Sequence, residues 1–275
     1  MGNERVCGTI SPMTKNVRLS VGALALVVVL LGAYWFFDSR SKIETGAEPT
    51  DSLEEELSGL AVGESVNDGG YTIERLPDAP AVSAPSLEPI PPKPASVSDA
   101  AYQQISKNFA ATAAVLAEGD NFNAWMNIAA YHGMLENYRG AEEVLQYLLV
   151  VYSPEWQVHA NLGNLYAGPL LNLPEAAEQY RLAIGKFATN AALYRALFEV
   201  ESRQGNTVEA TKALRDGIAQ APESLDLYVL LARNLRDTGS VSDARDAYDQ
   251  AIERAAAAGN TELSSSLTAE RDQLQ

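Results

Sequence analysis

Cys7, His132 and His159 are the only thiol and imidazole groups in 275 residues. A single cysteine cannot form an intramolecular disulfide and cannot build a zinc site of thiolates. Cys7 also lacks the preceding apolar stretch and small residues of a lipid-attachment site, and Val6 breaks the myristoylation pattern, so it reads as a plain thiol. The two histidines sit 27 residues apart without a neighbouring carboxylate pattern, which argues against a metal centre. There is no G-x-S-x-G, phosphate loop, H-E-x-x-H or dinucleotide fingerprint. The expectation is a chain that is not an enzyme and carries no catalytic residue, no cofactor and no metal. Basic residues are also scarce, 20 against 36 acidic ones for a formal charge of −16, which disfavours nucleic acid as a partner.

What is present is helix-forming: Ala and Leu are abundant, and β-branched runs are scarce outside one segment, so the chain reads as all-α. That segment is LSVGALALVVVLLGAYWFF, residues 19–37, 19 residues without a charge. As a helix it spans about 28 Å, close to the thickness of a bilayer's hydrocarbon core. Tyr34, Trp35, Phe36 and Phe37 close it like an interfacial aromatic belt. It is expected to be a membrane anchor behind a short tail, residues 1–18. A cleaved signal peptide is the rival, but the apolar run ends in four aromatics and DSRSK, with no A-x-A nearby. Lys and Arg are nearly balanced across the flanks. A short tail without a folded domain favours a cytoplasmic amino terminus, whether at Met1 or Met13. The expected location is thus the cytoplasmic (inner) membrane, crossed once, with the carboxy-terminal bulk outside the cytoplasm.

Residues 38–97 hold twelve Asp or Glu and four Lys or Arg. Their last 22 residues, LPDAPAVSAPSLEPIPPKPASV, contain seven prolines. Such a run forbids helix and favours extended geometry, so 38–97 is expected to be a disordered, semi-rigid stalk. PIPPKP also has the look of a ligand for proline-binding grooves.

From residue 98 the pattern changes. Apolar residues recur at intervals of three and four, and polar or Gly/Pro breaks fall every 14 to 20 residues. Eight helices in four pairs are expected over about 122–155, 156–190, 191–224 and 225–258, with extra helices at 98–118 and 261–273. Asn206 with Glu209, and Ser240 with Asp243, look like capping boxes. Stacking the pairs gives registered columns. Ala141, Ala176, Ala210 and Ala244 are 35, 34 and 34 residues apart. Ile128, Leu162, Leu197 and Leu231 form a second column. Trp125, His159, Tyr194 and Tyr228 form a third, and Leu145, Tyr180, Leu214 and Tyr248 a fourth. Small residues such as Gly163, Ala176 and Ala183 let backbones approach, and the large ones fill the space between. Phe198 departs from the pattern, standing where Ala129, Gly163 and Ala232 are small; Gly217 replaces a late alanine, and Ser153-Pro154 is displaced.

These columns resemble the tetratricopeptide repeat (TPR) family, whose 34-residue helix–turn–helix unit carries such small and large positions. The resemblance covers residues 121–258. It implies a right-handed α-solenoid of about four pairs, with flanking helices as caps, and a concave groove lined by the first helix of each pair. The groove positions are then Asn123, Met126, Met134, Gln157, Asn164, Arg195, Glu199, Arg203, Arg233 and Arg236. Arginines can clamp carboxylates bidentately and Asn164 adds a donor, so the groove is expected to hold a protein or peptide partner. Surface salt bridging with Glu199 or Asp237 is the competing reading of these arginines. The resemblance further implies an interaction scaffold of the bacterial cell envelope. The alternatives are a holdase for exported chains, for which Met126 and Met134 would offer adaptable apolar contact, or an accessory subunit of a secretion, pilus or cytochrome-maturation machine.

Overall fold

The computed structural model describes residues 73, 75–152 and 155–274. The tail with Cys7, the 19–37 segment, most of residues 38–74 and Ser153-Pro154 lie outside the described residues. Among those that are described, no helix is long and apolar enough to cross a membrane.

The described residues form ten α-helices and no strand. A lone helix α1 (Asp99–Glu118) precedes four pairs: α2 (Phe122–Met134) with α3 (Tyr138–Val151), α4 (Trp156–Ala167) with α5 (Leu173–Lys186), α6 (Ala191–Gln204) with α7 (Thr207–Gln220), and α8 (Leu225–Asp237) with α9 (Val241–Ala257). Helix α10 (Thr261–Asp272) closes the row. Each helix packs on its neighbours in sequence, so the architecture is a stack rather than a closed bundle.

The turns within the pairs share one device. The residue just before each new helix's cap has left-handed φ: Glu136 at 55°, Leu171 at 51°, Gly205 at 79° and Gly239 at 78°, with Gly259 at 73° before α10. The next backbone N–H then bonds back to the preceding helix, as in Asn137 to His132 O, Asn206 to Glu201 O and Ser240 to Leu235 O, each 2.9 Å. This is the Schellman arrangement, which satisfies carbonyls that the helix end would leave open. Asparagine dominates the caps that follow. Asn121, Asn137, Asn190 and Asn260 each accept a hydrogen bond from a backbone N–H of their helix. The two expected capping boxes lie at helix starts but make no side-chain cap bond. Asn206 instead turns its amide to the buried Glu201 carboxylate, 2.7 Å away, because that acceptor would otherwise rely on Arg181 alone.

The small residues occur where side chains press on a helix backbone. A Cβ on Gly163 would lie 2.7 Å from the Tyr180 ring, and one on Gly217 would lie 2.7 Å from Tyr194 Cβ and 2.8 Å from Leu227 Cδ1. Ala176, Ala183, Ala210 and Ala244 are almost fully buried. In the second pair the glycine at 163 makes room for the Tyr180 ring. Phe198 is half-buried and touches both main apolar clusters. One of these runs from residue 73 into the third pair, where it includes Leu197, Val200 and Ala213; the other starts in the same pair with Tyr194 and Leu214 and continues through the fourth pair to α10.

The expectation of a free stalk up to residue 97 does not hold for residues 75–97. They contain no helix, as the prolines require, but Pro91 and Val97 are buried, and Ala79, Leu87 and Ile90 are half-buried against the first pair. Seven of these residues are prolines without an N–H to satisfy, which lowers the polar cost of lying on an apolar face.

Candidate peptide-binding groove

The positions expected to line the groove lie on α2, α4, α6 and α8, the first helices of the pairs. Their buried faces carry Trp125, Ile128, Leu162, Leu197, Tyr228 and Leu231. Helical spacing therefore sends the residues between them outward.

On the first two pairs the outward residues are mostly amides. Asn123 and Asn127 are exposed on α2. Asn161 is half-buried on α4, and Asn164 is exposed there. Asn164 Oδ1 accepts the Tyr180 hydroxyl proton at 2.7 Å, leaving its NH2 group for other acceptors. Gln157 carries a buried Oε1 without a hydrogen-bond partner. Met126 and Met134 are half-buried and packed against the core cluster rather than displayed. Asn127 and Asn161 escaped the sequence reading because their column continues as Ala196 and Leu230, so the polar signal lasts for only two repeats.

On the third and fourth pairs the outward face is charged. Arg195 Nη1 lies 3.6 Å from Asp226 and its Nε lies 3.9 Å from Glu199. Asp226, in the column of Asn123 and Gln157, is the carboxylate that the sequence reading passed over. Arg203 reaches back one pair and donates to the Ala167 carbonyl at 2.6 Å, at the end of α4.

The four expected clamp arginines do not act together. Arg233 donates twice to Glu270 on α10, Nε at 3.1 Å and Nη2 at 2.7 Å. Arg236 donates to the same carboxylate at 3.0 Å, to the Tyr248 hydroxyl at 3.1 Å and to Asp237 at 2.8 Å. Tyr248 in turn donates to Glu270 at 2.9 Å. Glu270 lies beyond the repeats, where no column points to it; only the packing of α10 brings it to the two arginines. The Arg233 bond, more than any other contact, holds the Glu270 carboxyl below the usual glutamate range. The Tyr248 hydroxyl is pushed up to about 12, chiefly by burial and then by its bond to that carboxylate. Thus Arg233 and Arg236 fasten the last helix to the stack, while Arg195 and Arg203 remain on the open face of the third pair.

Both histidines are structural. His159 Nδ1 bonds to Gln179 Oε1 at 2.8 Å, deep between α4 and α5. The Asn137 amide faces His132 Nδ1 at 2.9 Å, and burial lowers the His132 pKa.

No family model matches the chain, and no curated protein matches it significantly. Solved structures do. The fold is similar to the crystal structure of MamA, with a TM-score of 0.50 and 17% identity over 57% of this chain and 92% of that one. A second MamA structure gives 0.41 at 20% identity, covering 55% and 85%. YrrB, described as a TPR protein with an unusual peptide-binding site, gives 0.41 at 15% identity, covering 56% and 75%. The described residues form an α-solenoid of stacked helix pairs, a fold shared with MamA. At such identity the likeness to MamA is one of fold and transfers no activity.

Proposed function

We propose that this chain is an interaction scaffold that lays an extended segment of a partner protein along the outward faces of α2, α4 and α6. The observation that carries this reading is the division of that face. The amides of Asn123, Asn127, Asn161 and Asn164 offer donors and acceptors suited to a peptide backbone of any sequence. Arg195 and Arg203, one pair further on, suit a carboxylate at the segment's acidic end. Below them, buried apolar side chains hold the helices, so the face is preformed and little ordering entropy is lost on binding.

The 19–37 segment anchors the scaffold in the cytoplasmic membrane, with the repeats on the outer side. Its uncharged length supports this, as does the aromatic cluster at its end. A holdase would need displayed apolar surface, and the packing of Met126 and Met134 against the core gives that reading no support.

The test is in-membrane crosslinking of the full chain and its Asn127→Ala/Arg203→Ala variant, with helix content checked by circular dichroism. Loss of at least about tenfold in partner yield is expected, since two hydrogen-bonding groups at about 1 kcal/mol each would be removed. An unchanged crosslinking pattern from the folded variant would remove the groove from consideration. Extraction of the full chain by alkaline carbonate, without detergent, would remove the anchor.

A further inference from the structure

The proline-rich segment at residues 75–97 crosses the first pair from end to end. At its start, Arg75 forms an isolated antiparallel bridge with Tyr152, just past α3, and Leu76 N–H donates to Val151 O at 2.9 Å. The Arg75 guanidinium donates to Asp120 at 2.7 Å, a carboxylate that also takes the Trp125 indole proton at 2.6 Å. At its far end, the Tyr102 hydroxyl donates to Pro91 O at 3.1 Å, and Ser96 donates to Glu136 at 2.5 Å. Between these ends, Ala79, Leu87, Ile90 and Pro91 supply the apolar contacts.

Glu136 ties the far end of the segment to the turn between α2 and α3. It holds the left-handed turn position that glycine fills at 205 and 239, a conformation that disfavours a residue with a side chain. In return it places a carboxylate where Ser96 meets it. The seat is also incompletely filled. An open cavity of about 420 Å³ lies between Pro89–Pro92 and Leu135–Asn137. The occupant itself is weakly held: most of its side chains are exposed, and the Arg75 side chain keeps 43% of its surface in solvent.

We infer that this track is a second peptide-binding surface, separate from the groove of the repeats. It takes an extended proline-rich segment led by an arginine, and residues 75–97 are its exchangeable internal occupant. The recognition combines one strand-like main-chain pairing with apolar contacts of Ala79, Leu87, Ile90 and Pro91, the other prolines keeping the segment extended. Because the occupant is tethered, it competes at an effective concentration of about millimolar. An outside segment binds only when the internal one is unlatched.

The experiment uses the full chain in detergent and a fluorescent synthetic peptide of residues 73–97, read by anisotropy. Unlatching with Arg75→Ala and Leu76→Pro removes the ion pair and the N–H donor but leaves the seat intact. The unlatched chain is expected to bind the peptide at least about tenfold more tightly than the unaltered chain. Adding Asp120→Arg abolishes the gain, and a peptide carrying Glu at position 75 restores it. Arg203→Ala leaves binding unchanged, which separates this surface from the groove. Absence of binding to an unlatched chain with unaltered helix content overturns the inference. A second measurement needs no variant: millimolar peptide should accelerate hydrogen exchange at the Leu76 amide of the unaltered chain, and undiminished protection there also overturns it.

Discussion

Gly163 shows how one residue's size is dictated by a neighbour 17 positions away. The Tyr180 ring stands where a Cβ would be, and it is itself buried and tied to Asn164, so it has little room to yield. Gly163→Ala is therefore expected to destabilise by about 1–2 kcal/mol: overpacking costs about 1–3, and better helix propensity returns up to about 1. Gly185→Ala, where a Cβ meets nothing within 4 Å, is expected to stabilise by up to about 1 kcal/mol. Thermal melting of the two variants should move in opposite directions. Leu171 is the reverse case, a leucine at φ 51° with 73% of its surface exposed. Leu171→Gly releases a left-handed cost of about 1–2 kcal/mol against a smaller entropic loss, so a rise in melting temperature is expected. The small columns were legible in the sequence because their spacing repeats. The strain at Leu171 was not, because AGPLLNLP departs from the period at that turn.

At the scale of an element, the fastening of α10 depends on one carboxylate. Glu270 receives Arg233, Arg236 and Tyr248, and α10 buries Leu267 completely against the last pair. Because the folded pKa of Glu270 lies below its ordinary value, the contribution is full above the unfolded value of about 4.3 and is lost as pH falls through the depressed one. Melting of the unaltered chain should therefore fall more steeply below about pH 4 than that of Glu270→Gln, which starts lower at neutral pH. Equal pH profiles for the two would remove Glu270 from this role. The sequence reading placed an amphipathic cap in this region but assigned Arg233 and Arg236 to a partner. An arginine's spacing fixes the face it leaves from, whereas its long side chain pairs with whichever carboxylate the fold brings near.

Across the described repeats, stability is mainly a sum of nearest-neighbour interfaces, because the extensive helix contacts are between neighbours in sequence and helices two apart are joined by single polar links such as Arg233 to Glu270. The two main apolar clusters meet inside the third pair, where α6 gives Leu197 and Val200 to one and Tyr194 to the other, and Ile184 and Phe198 pack against both. Phe198→Ala should weaken that junction by about 3 kcal/mol and split a single unfolding transition into two, with the carboxy-terminal pairs separating from the amino-terminal ones. Calorimetry and hydrogen exchange would read the split. One transition, merely shifted downward, would mean that α6 and α7, which carry side chains of both clusters, couple the halves without it.

Residues 98–274 follow from local rules. A period of 34, small residues at fixed places and asparagine caps recur often enough that each repeat confirms the next, and from them come the helices, their pairing and their stacking. The tertiary structure decided what happens once per molecule: residues 75–97 lying back on the first pair, Glu270 gathering two arginines, and Asn206 turning to a buried glutamate. Periodicity reports contacts that recur along the chain, whereas a single ion pair or a docked extended segment depends on distances that exist only after the chain has packed.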